Sequence, residues 1–324
     1  MEIATRDQAQ AASRPHEKYD RLIAAAQARP RLTVAVVHPC DEASLGAALE
    51  AASLGLVTPI LVGPRGRIAA AARALDTDIA DLRLVDAAHS HESAAKAVAL
   101  ANAGEAEALM KGSLHTDEVM AAVVRREGGL RTARRVSHCF VMDVPSHAVP
   151  LIVTDAAINI APTLEEKRDI VQNAIDLAHA LGVATVRVAI VSAMETVNPK
   201  VPSTLDAAAL CKMADRGQIT GAVLDGPLAL DNAIDLGAAA IKKIQSPVAG
   251  RANVLVVPDL EAGNMLAKSL TFLAHADAAG IVLGARVPII LTSRADSRLT
   301  RLASCAVASL FAAAQRAARP LPEV

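Results

Sequence analysis

Short β-branched apolar runs alternate with longer helical patterns along the first 130 residues of the chain. The strand-like runs are residues 32–37, 59–62, 82–85 and 108–110. The helical patterns between and after them are residues 43–54, 67–75, 93–103 and 116–126. Strands separated by helices pair in parallel through right-handed crossovers. The alternation therefore predicts an α/β fold.

The pattern changes near residues 134–150 and then resumes. Runs 140–144 and 151–153 are separated only by a short segment containing Pro145 and Ser146, which predicts a hairpin or a crossing between domains. Thr163 and Glu166 have capping-box spacing before an apolar helical pattern that ends at Gly182. Further strands are predicted at 186–191, 222–224, 254–257, 280–283 and 287–291, and further helices at 204–215, 231–244, 264–274 and 299–318. With 324 residues, we expect two α/β domains, the last helix returning to the first.

Charge and aromatic content exclude several classes of partner. Lys plus Arg (33) nearly equals Asp plus Glu (34), and the chain has no Trp, one Tyr and three Phe. Neither a broad basic field nor stacking platforms for a nucleic acid are present. Acidic residues near the start and the lack of an apolar stretch of about 18 residues predict a cytoplasmic chain without a membrane span. The scattered cysteines are typical of buried thiols in a reducing compartment: Cys40, Cys139, Cys211 and Cys305.

The usual nucleotide, metalloprotease and hydrolase motifs are absent from the sequence. There is no GxGxxG, HExxH or GxSxG, and Lys111-Gly112-Ser113 has the wrong order for a P-loop. What remains is polar clusters between strands and helices, where open α/β sheets bind ligands. In the first, Lys111, Gly112, Ser113 and Thr116 precede a helix, an arrangement that would hold a phosphate. The alternative is an ordinary capped turn with a surface lysine.

A second cluster lies between the last strand and the last helix. Arg294 would pair with a phosphate bidentately, while Ser293 and Asp296 would handle a proton. Alternatively, Asp296 or Ser297 simply caps the helix, and for Ser297 capping is at least as well supported as catalysis.

Weaker candidates follow other strands. Asp225 and the segment 258–264, which includes Asn264, would line a cleft, although a lone Asp after a strand commonly forms a turn. The basic run containing Arg135 would meet coenzyme A phosphates or be solvated. Histidines such as His138 show no ligand spacing, so we expect structural or surface roles for them.

Taken in order, six segments resemble the phosphate acetyl/butyryl transferase family. They are residues 110–112, 140–145, 154–159, 225–228, 258–264 and 292–294. The resemblance covers residues 32 to 310 and is closer to the butyryl branch and to the acyltransferase half of chains fused to an enoyl-CoA hydratase domain. It implies an isocitrate/isopropylmalate dehydrogenase-like fold with an interdomain cleft. Residues 1–146 plus 289–324 would form one domain, and 147–288 a second that joins a homodimer.

The resemblance also implies site residues. The family's Ser-Arg pair matches Ser293 and Arg294, and its phosphate-side hydroxyl matches Thr116. The chain departs from the acetyl branch at Ala121, where that branch has Arg, and at Thr300, where it has a catalytic Asp. Our substitutes are Arg135 for the phosphate clamp and Asp296 for the base.

The expected function is exchange of an acetyl or butyryl group between coenzyme A and inorganic phosphate, with no metal and no cofactor beyond coenzyme A as substrate. Two alternatives remain at this point. A metal- and NAD-dependent hydroxyacid dehydrogenase on the same fold would need clustered Asp ligands and would show Mg- or Mn-dependent activity. A non-catalytic acyl-CoA-binding subunit would bind coenzyme A tightly without phosphate-dependent transfer.

Overall fold

The computed structural model describes residues 16–292 and 296–318. Its helices are α1 Glu17–Gln27, α2 Glu42–Ser53, α3 Arg65–Ala74, α4 Ser90–Asn102, α5 Thr116–Val123, α6 Leu164–Ala180, α7 Pro202–Asp215, α8 Leu230–Ile234, α9 Leu236–Ile241, α10 Leu260–Leu273 and α11 Arg298–Ala318. Its strands are β1 Leu32–Val37, β2 Val57–Gly63, β3 Leu84–Asp86, β4 Ala108–Lys111, β5 Ser137–Asp143, β6 Leu151–Thr154, β7 Arg187–Val191, β8 Val223–Leu228, β9 Val254–Val256, β10 Asp277–Leu283 and β11 Ile289–Ile290.

The described strands form one eleven-stranded mixed sheet, which confirms the α/β class. Their order is β3-β2-β1-β4-β11-β10-β5-β6-β9-β7-β8. The strands at the two ends of the sheet, β3-β2-β1-β4-β11 and β6-β9-β7-β8, pair in parallel. In the middle of the sheet, β10 pairs antiparallel with both β5 and β11, and β5 pairs antiparallel with β6. The connections β5–β6 and β10–β11 are too short for a helical crossover, so antiparallel pairing follows from their length. The hairpin interpretation of residues 140–153 is therefore confirmed.

Aliphatic side chains form most of the core on both faces of the sheet. The β1 and β4 side chains are almost entirely buried, as expected of parallel strands covered by helices. One aromatic residue is important: the Tyr19 hydroxyl donates to the Val141 carbonyl at 2.6 Å and accepts from the Ala279 amide at 2.7 Å. These bonds join α1 to β5 and β10. The sequence interpretation missed α1, which precedes the first strand.

Two predicted elements need correction. The single helix expected over residues 231–244 is wrong, because the chain forms α8 and α9 with Asp235 extended between them. The Asp235 carboxylate accepts from the Ala238 amide at 2.7 Å and so starts a second helix. The strand expected at 287–291 shortens to β11. By contrast, the capping box of Thr163 and Glu166 at the start of α6 is confirmed.

The last helix, α11, packs on α1, α2 and β10, and also reaches α6. Cys139 and Cys305 are buried as predicted, but Cys40 and Cys211 are only partly buried. Within residues 16–292 and 296–318, no helix combines the length and apolar character needed to cross a membrane.

Candidate active site

The turn that follows β4 is held against the end of β1. The Gly112 amide donates to the Val37 carbonyl at 2.9 Å, and the Ser113 hydroxyl donates to the His38 carbonyl at 2.8 Å. A Cβ added at Gly112 would lie 2.3 Å from the Val37 oxygen, so only glycine fits this close approach. Lys111, the last residue of β4, is 8% exposed. The turn thus fixes a nearly buried cation in place.

This strand end opens into a cavity of about 400 Å³. The cavity brings together three predicted site residues, Lys111, Thr116 and Asp296. Its remaining lining residues are Leu114, His115, His138, Phe140, Ala157, Leu291 and Thr292. Ser293 and Arg294 follow Thr292 in the chain and lie outside the described residues. The cavity therefore adjoins both predicted clusters.

The cavity has the features of an anion site on one side. Thr116 begins α5, whose N-terminal amides carry a partial positive charge, and Lys111 adds a full charge. Lys111 and Gly112 also line a small neighbouring cavity of about 20 Å³ together with Arg301 and the carboxylate Asp41. Sequence reasoning missed Arg301, because its place on the second turn of α11 carries no motif. Cations from two distant parts of the chain therefore lie beside the same strand end.

At the start of α11, the structure shows which residue caps the helix and which residue lines the cavity. The Ser297 hydroxyl accepts from the Thr300 amide at 3.1 Å, so the capping interpretation of Ser297 is confirmed. Asp296 instead lines the cavity. Thr300 directs its hydroxyl to the Asp277 carboxylate at 3.3 Å. Sequence reasoning missed Asp277, because β10 brings it to this place from more than twenty residues away.

A buried carboxylate shapes the loop that follows β6. Asp155 accepts from the amides of Ala157 at 2.9 Å and Ile158 at 3.0 Å, and from the Asn159 side chain at 2.5 Å. These hydrogen bonds shape the loop so that Ala157 lies in the cavity wall. Asn264, predicted to bind substrate, donates to the Ala156 carbonyl at 3.3 Å. The structure therefore gives Asn264 a contact with the loop after β6 and does not place it in the cavity lining.

His138 lies in the cavity wall, although the sequence indicated only a structural or surface role. It is 1% exposed, and burial lowers its pKa to about 4, an effect that the Asp155 carboxylate partly opposes. The imidazole is therefore uncharged near neutral pH. The only sequence signal that could have found it is its alternation with Phe140 along β5.

Two predicted site residues lie elsewhere. Arg135 donates to the Asn159 side-chain oxygen at 2.6 Å and pairs with Glu166 at 2.9 Å. It lines a different cavity of about 500 Å³ with other basic residues. Asp225 lies on β8, seven places along the sheet from β4, and accepts from the Gly226 amide at 2.8 Å. The structure does not bring either residue to the cavity that contains Lys111.

The described residues contain no group of three His, Cys, Asp or Glu side chains placed to hold a metal ion. The cavity offers a cation, hydroxyls, a carboxylate and an apolar wall. Those groups are suited to binding an anion, orienting a nucleophile and moving a proton.

Comparison with known proteins agrees with this chemistry. Residues 89–309 match the family model described as phosphate acetyl/butaryl transferase. A phosphate acetyltransferase of Rhizobium meliloti is 67% identical over 302 residues, covering 93% of this chain and 96% of that protein. A phosphate butyryltransferase of Clostridium acetobutylicum is 40% identical, covering 91% and 98% respectively.

Solved structures agree with the fold. A branched-chain phosphotransacylase from Enterococcus faecalis V583 superposes with a TM-score of 0.75 at 30% identity, covering 87% of this chain and 99% of that one. A 4-hydroxythreonine-4-phosphate dehydrogenase from Klebsiella pneumoniae gives a TM-score of 0.51 at 14% identity, covering 87% of this chain and 99% of that one, and shows a likeness of fold alone. On the family match and the two relatives, this chain belongs to the phosphate acetyl/butaryl transferase family.

Proposed function

We propose that this chain is a phosphate acyltransferase that exchanges a short acyl group, preferentially acetyl, between coenzyme A and inorganic phosphate. The observation that carries the proposal is the convergence of Lys111, Thr116 and Asp296 on one cavity beside the start of α5. Family membership supports the reaction class. The preference for acetyl rests on the name of the relative that is 67% identical.

Phosphate binds on the charged side of the cavity in this proposal. Lys111 and the α5 N-terminus attract the anion and hold it against the thioester. Arg294 neutralises phosphate charge, and Ser293 hydrogen-bonds the sulfur or the developing oxyanion. These last two roles come from the family's Ser-Arg pair, which this sequence matches.

The reaction proceeds without a covalent acyl-enzyme. A phosphate oxygen attacks the thioester carbonyl carbon, so a carbon–oxygen bond forms as the carbon–sulfur bond breaks. The coenzyme A thiolate leaves and takes up the proton that the hydrogen phosphate gives away. Asp296 relays that proton between the two. Acyl phosphate and coenzyme A result, and the reverse reaction starts from thiolate attack on the acyl phosphate.

The finer architecture is also proposed. Residues 1–146 plus 289–324 form one domain and 147–288 a second, in an isocitrate/isopropylmalate dehydrogenase-like fold with the active site in the cleft between them. The likeness to a dehydrogenase structure at a TM-score of 0.51 supports this fold. The proposal places the enzyme in the cytoplasm and includes no metal and no cofactor besides the substrate coenzyme A.

A homodimer formed through the second domain is part of the same proposal. Helix α10 exposes three large apolar side chains, Met265, Phe272 and Leu273, and α9 exposes Ile241. Apolar side chains at such exposure commonly mark a protein interface. Sedimentation of the wild type and of Phe272→Asp tests this point, because a charge at an apolar interface should shift a dimer toward monomer.

The family match favours acyl transfer over the dehydrogenase alternative. The remaining alternative, a non-catalytic subunit that binds acyl-CoA, differs from an enzyme only in turnover. The deciding experiment measures release of coenzyme A thiol from acetyl-, propionyl- and butyryl-CoA, with and without phosphate.

Arg294→Ala should lower kcat/KM at least 100-fold while the protein remains folded. Arg83→Ala is the matched control, because Arg83 pairs with Glu105 on the surface. Thiol release that needs phosphate and fails only in Arg294→Ala supports the proposal. Tight binding of coenzyme A without any release would identify a binding subunit instead.

A further inference from the structure

Strand β5 presents two rings to the cavity from one of its faces. His138 and Phe140 are two residues apart, so they point to the same side of the sheet and both line the cavity. The intervening Cys139 is fully buried in the core on the other side. The two rings meet edge to face, with centroids 4.3 Å apart and planes at 77°. They form one continuous aromatic surface.

The cavity lining is divided by polarity. Lys111, Thr116 and Asp296 provide charge and hydroxyl groups, while Leu114, Phe140, Ala157 and Leu291 provide apolar surface. The reacting carbonyl carbon carries two substituents. One is the sulfur of coenzyme A or an oxygen of phosphate, and the other is the acyl chain. The acyl chain is the apolar one of these, so it belongs against the apolar lining.

The ring of His138 lies in the cavity wall as an uncharged group although it is titratable. The ring is 1% exposed, and its Nδ1 has no hydrogen-bond partner among residues 16–292 and 296–318. Burial keeps the imidazole uncharged, with a pKa of about 4. On the neighbouring strand β10, Gly280 leaves room for the ring, since a Cβ added there would lie 3.1 Å from Nε2. The ring therefore lies against the backbone of β10, where a larger residue would crowd it.

We propose that the edge-to-face pair of His138 and Phe140 is the floor of the acyl subsite and sets the longest acyl chain that the enzyme accepts. The inference rests on the proposed function, because it assigns the substrate's acyl group to this part of the cavity. Phe140 is the specificity-determining residue, since its ring is less deeply buried than His138 and meets the chain end. His138 fixes the Phe140 ring from one side.

The test compares kcat/KM for acetyl-CoA, butyryl-CoA and hexanoyl-CoA in the wild type and in Phe140→Ala. Removing the ring opens space for additional methylene groups, each of which is worth a few-fold in an apolar pocket. The ratio of kcat/KM for butyryl-CoA over acetyl-CoA should therefore rise about tenfold. His138→Ala should move the ratio in the same direction by less, because it acts through Phe140.

Phe311→Ala is the matched control. Phe311 is 7% exposed in the core on α11, so its loss removes the same ring away from the cavity. This variant should lower the melting temperature yet leave the chain-length ratio unchanged. If Phe140→Ala does not fold, Phe140→Leu takes its place, with an expected rise of about threefold.

The outcomes separate the inference from the proposed function. A wild type that releases no thiol from any acyl-CoA in the presence of phosphate overturns the proposed function. The wild type could be active while the ratio of kcat/KM for butyryl-CoA over acetyl-CoA is unchanged in folded Phe140→Ala or Phe140→Leu. That result overturns only the assignment of the acyl-subsite floor. An equal rise in Phe311→Ala would also overturn it, because general loosening of the fold would then explain the change.

Discussion

Two regions of this protein combine basic residues with a cavity, and they differ in how the protein uses the positive charge. Around Arg135, the cations meet carboxylates of the same chain: Arg135 pairs with Glu166, Arg134 with Asp176 and Arg168 with Asp169. Beside β4, Lys111 is 8% exposed at a strand end that faces the start of α5. The first region pairs its cations with carboxylates on the exposed surface, whereas the second holds a nearly buried lysine at a cavity that also contains the Asp296 carboxylate.

A run of basic residues in the sequence is therefore a poor guide to the position of an anion site. Exposed ion pairs contribute little and are screened by salt. A cation held at the carboxyl end of a parallel strand, next to helix amides, acts in a less polar environment and so interacts more strongly with an anion. Arg135 was our substitute for the phosphate clamp, and it lies in the first region.

The largest expected effect separates the two regions directly. Lys111→Met keeps the length of the side chain but removes the charge, so kcat/KM for phosphate-dependent acyl transfer should fall about 100-fold or more. Arg135→Met should change it less than about threefold. Steady-state kinetics with varied phosphate, together with thermal melts, would measure both. Equal losses in the two folded variants would show that Lys111 and Arg135 contribute alike to the reaction.

A second expected effect concerns the backbone under Lys111. Gly112→Ala places a Cβ 2.3 Å from the Val37 carbonyl oxygen, so the free energy of unfolding should fall by more than about 2 kcal/mol. Gly66→Ala in α3 is the matched control, because no atom lies within 4 Å of its added Cβ. That change should raise the free energy of unfolding by up to about 1 kcal/mol. Urea denaturation compares them, and similar stabilities would show that the turn is not tightly fixed.

A third expected effect concerns the pH dependence of the free energy of unfolding, through His138 in the Lys111 cavity. The pKa of His138 is about 4 when folded, against an ordinary 6.5. Between these values the unfolded chain binds the extra proton, so the free energy of unfolding falls as pH drops from 6.5 toward 4. His138→Asn should flatten that fall. The titratable groups that face His138 are Asp155 and the cavity residues Lys111, His115 and Asp296.

Denaturation at several pH values between 4 and 7 would measure the slope for the wild type and the variant. An unchanged slope in His138→Asn would mean that His138 carries no part of this dependence. The Asp155 carboxylate would then have to compensate for burial more fully than the structure indicates.

Much of the fold could be predicted from local pattern. The strand at residues 32–37 and the capping box at Thr163 were found with their observed bounds and partners. The division of residues 231–244 into two helices was not, because a single Asp235 ended one helix and began the next. Helix α1 was also missed, although its buried residues Tyr19, Leu22 and Ala26 follow helical spacing.

The candidate site was predictable in part. Strand ends followed by Lys111-Gly112 and by Asp296 were recognisable because open α/β sheets bind ligands at such places. Asp225 satisfied the same rule and yet lies seven strands away. Phe140 begins one of the six family-like segments, but no local pattern indicated that it and His138 line the cavity, since the pairing of β5 beside β10 brings them there.

The sequence by itself determined the alternation of strands and helices, the caps, the family and the chemical character of each cluster, since all of these depend on neighbouring residues. The tertiary structure alone decided which strand ends meet, that Arg135 is held by Glu166, and that two rings of β5 face the same cavity as Lys111. The physical reason is the order of strands in the sheet. Pairing between distant segments sets that order, and local pattern specifies it only weakly.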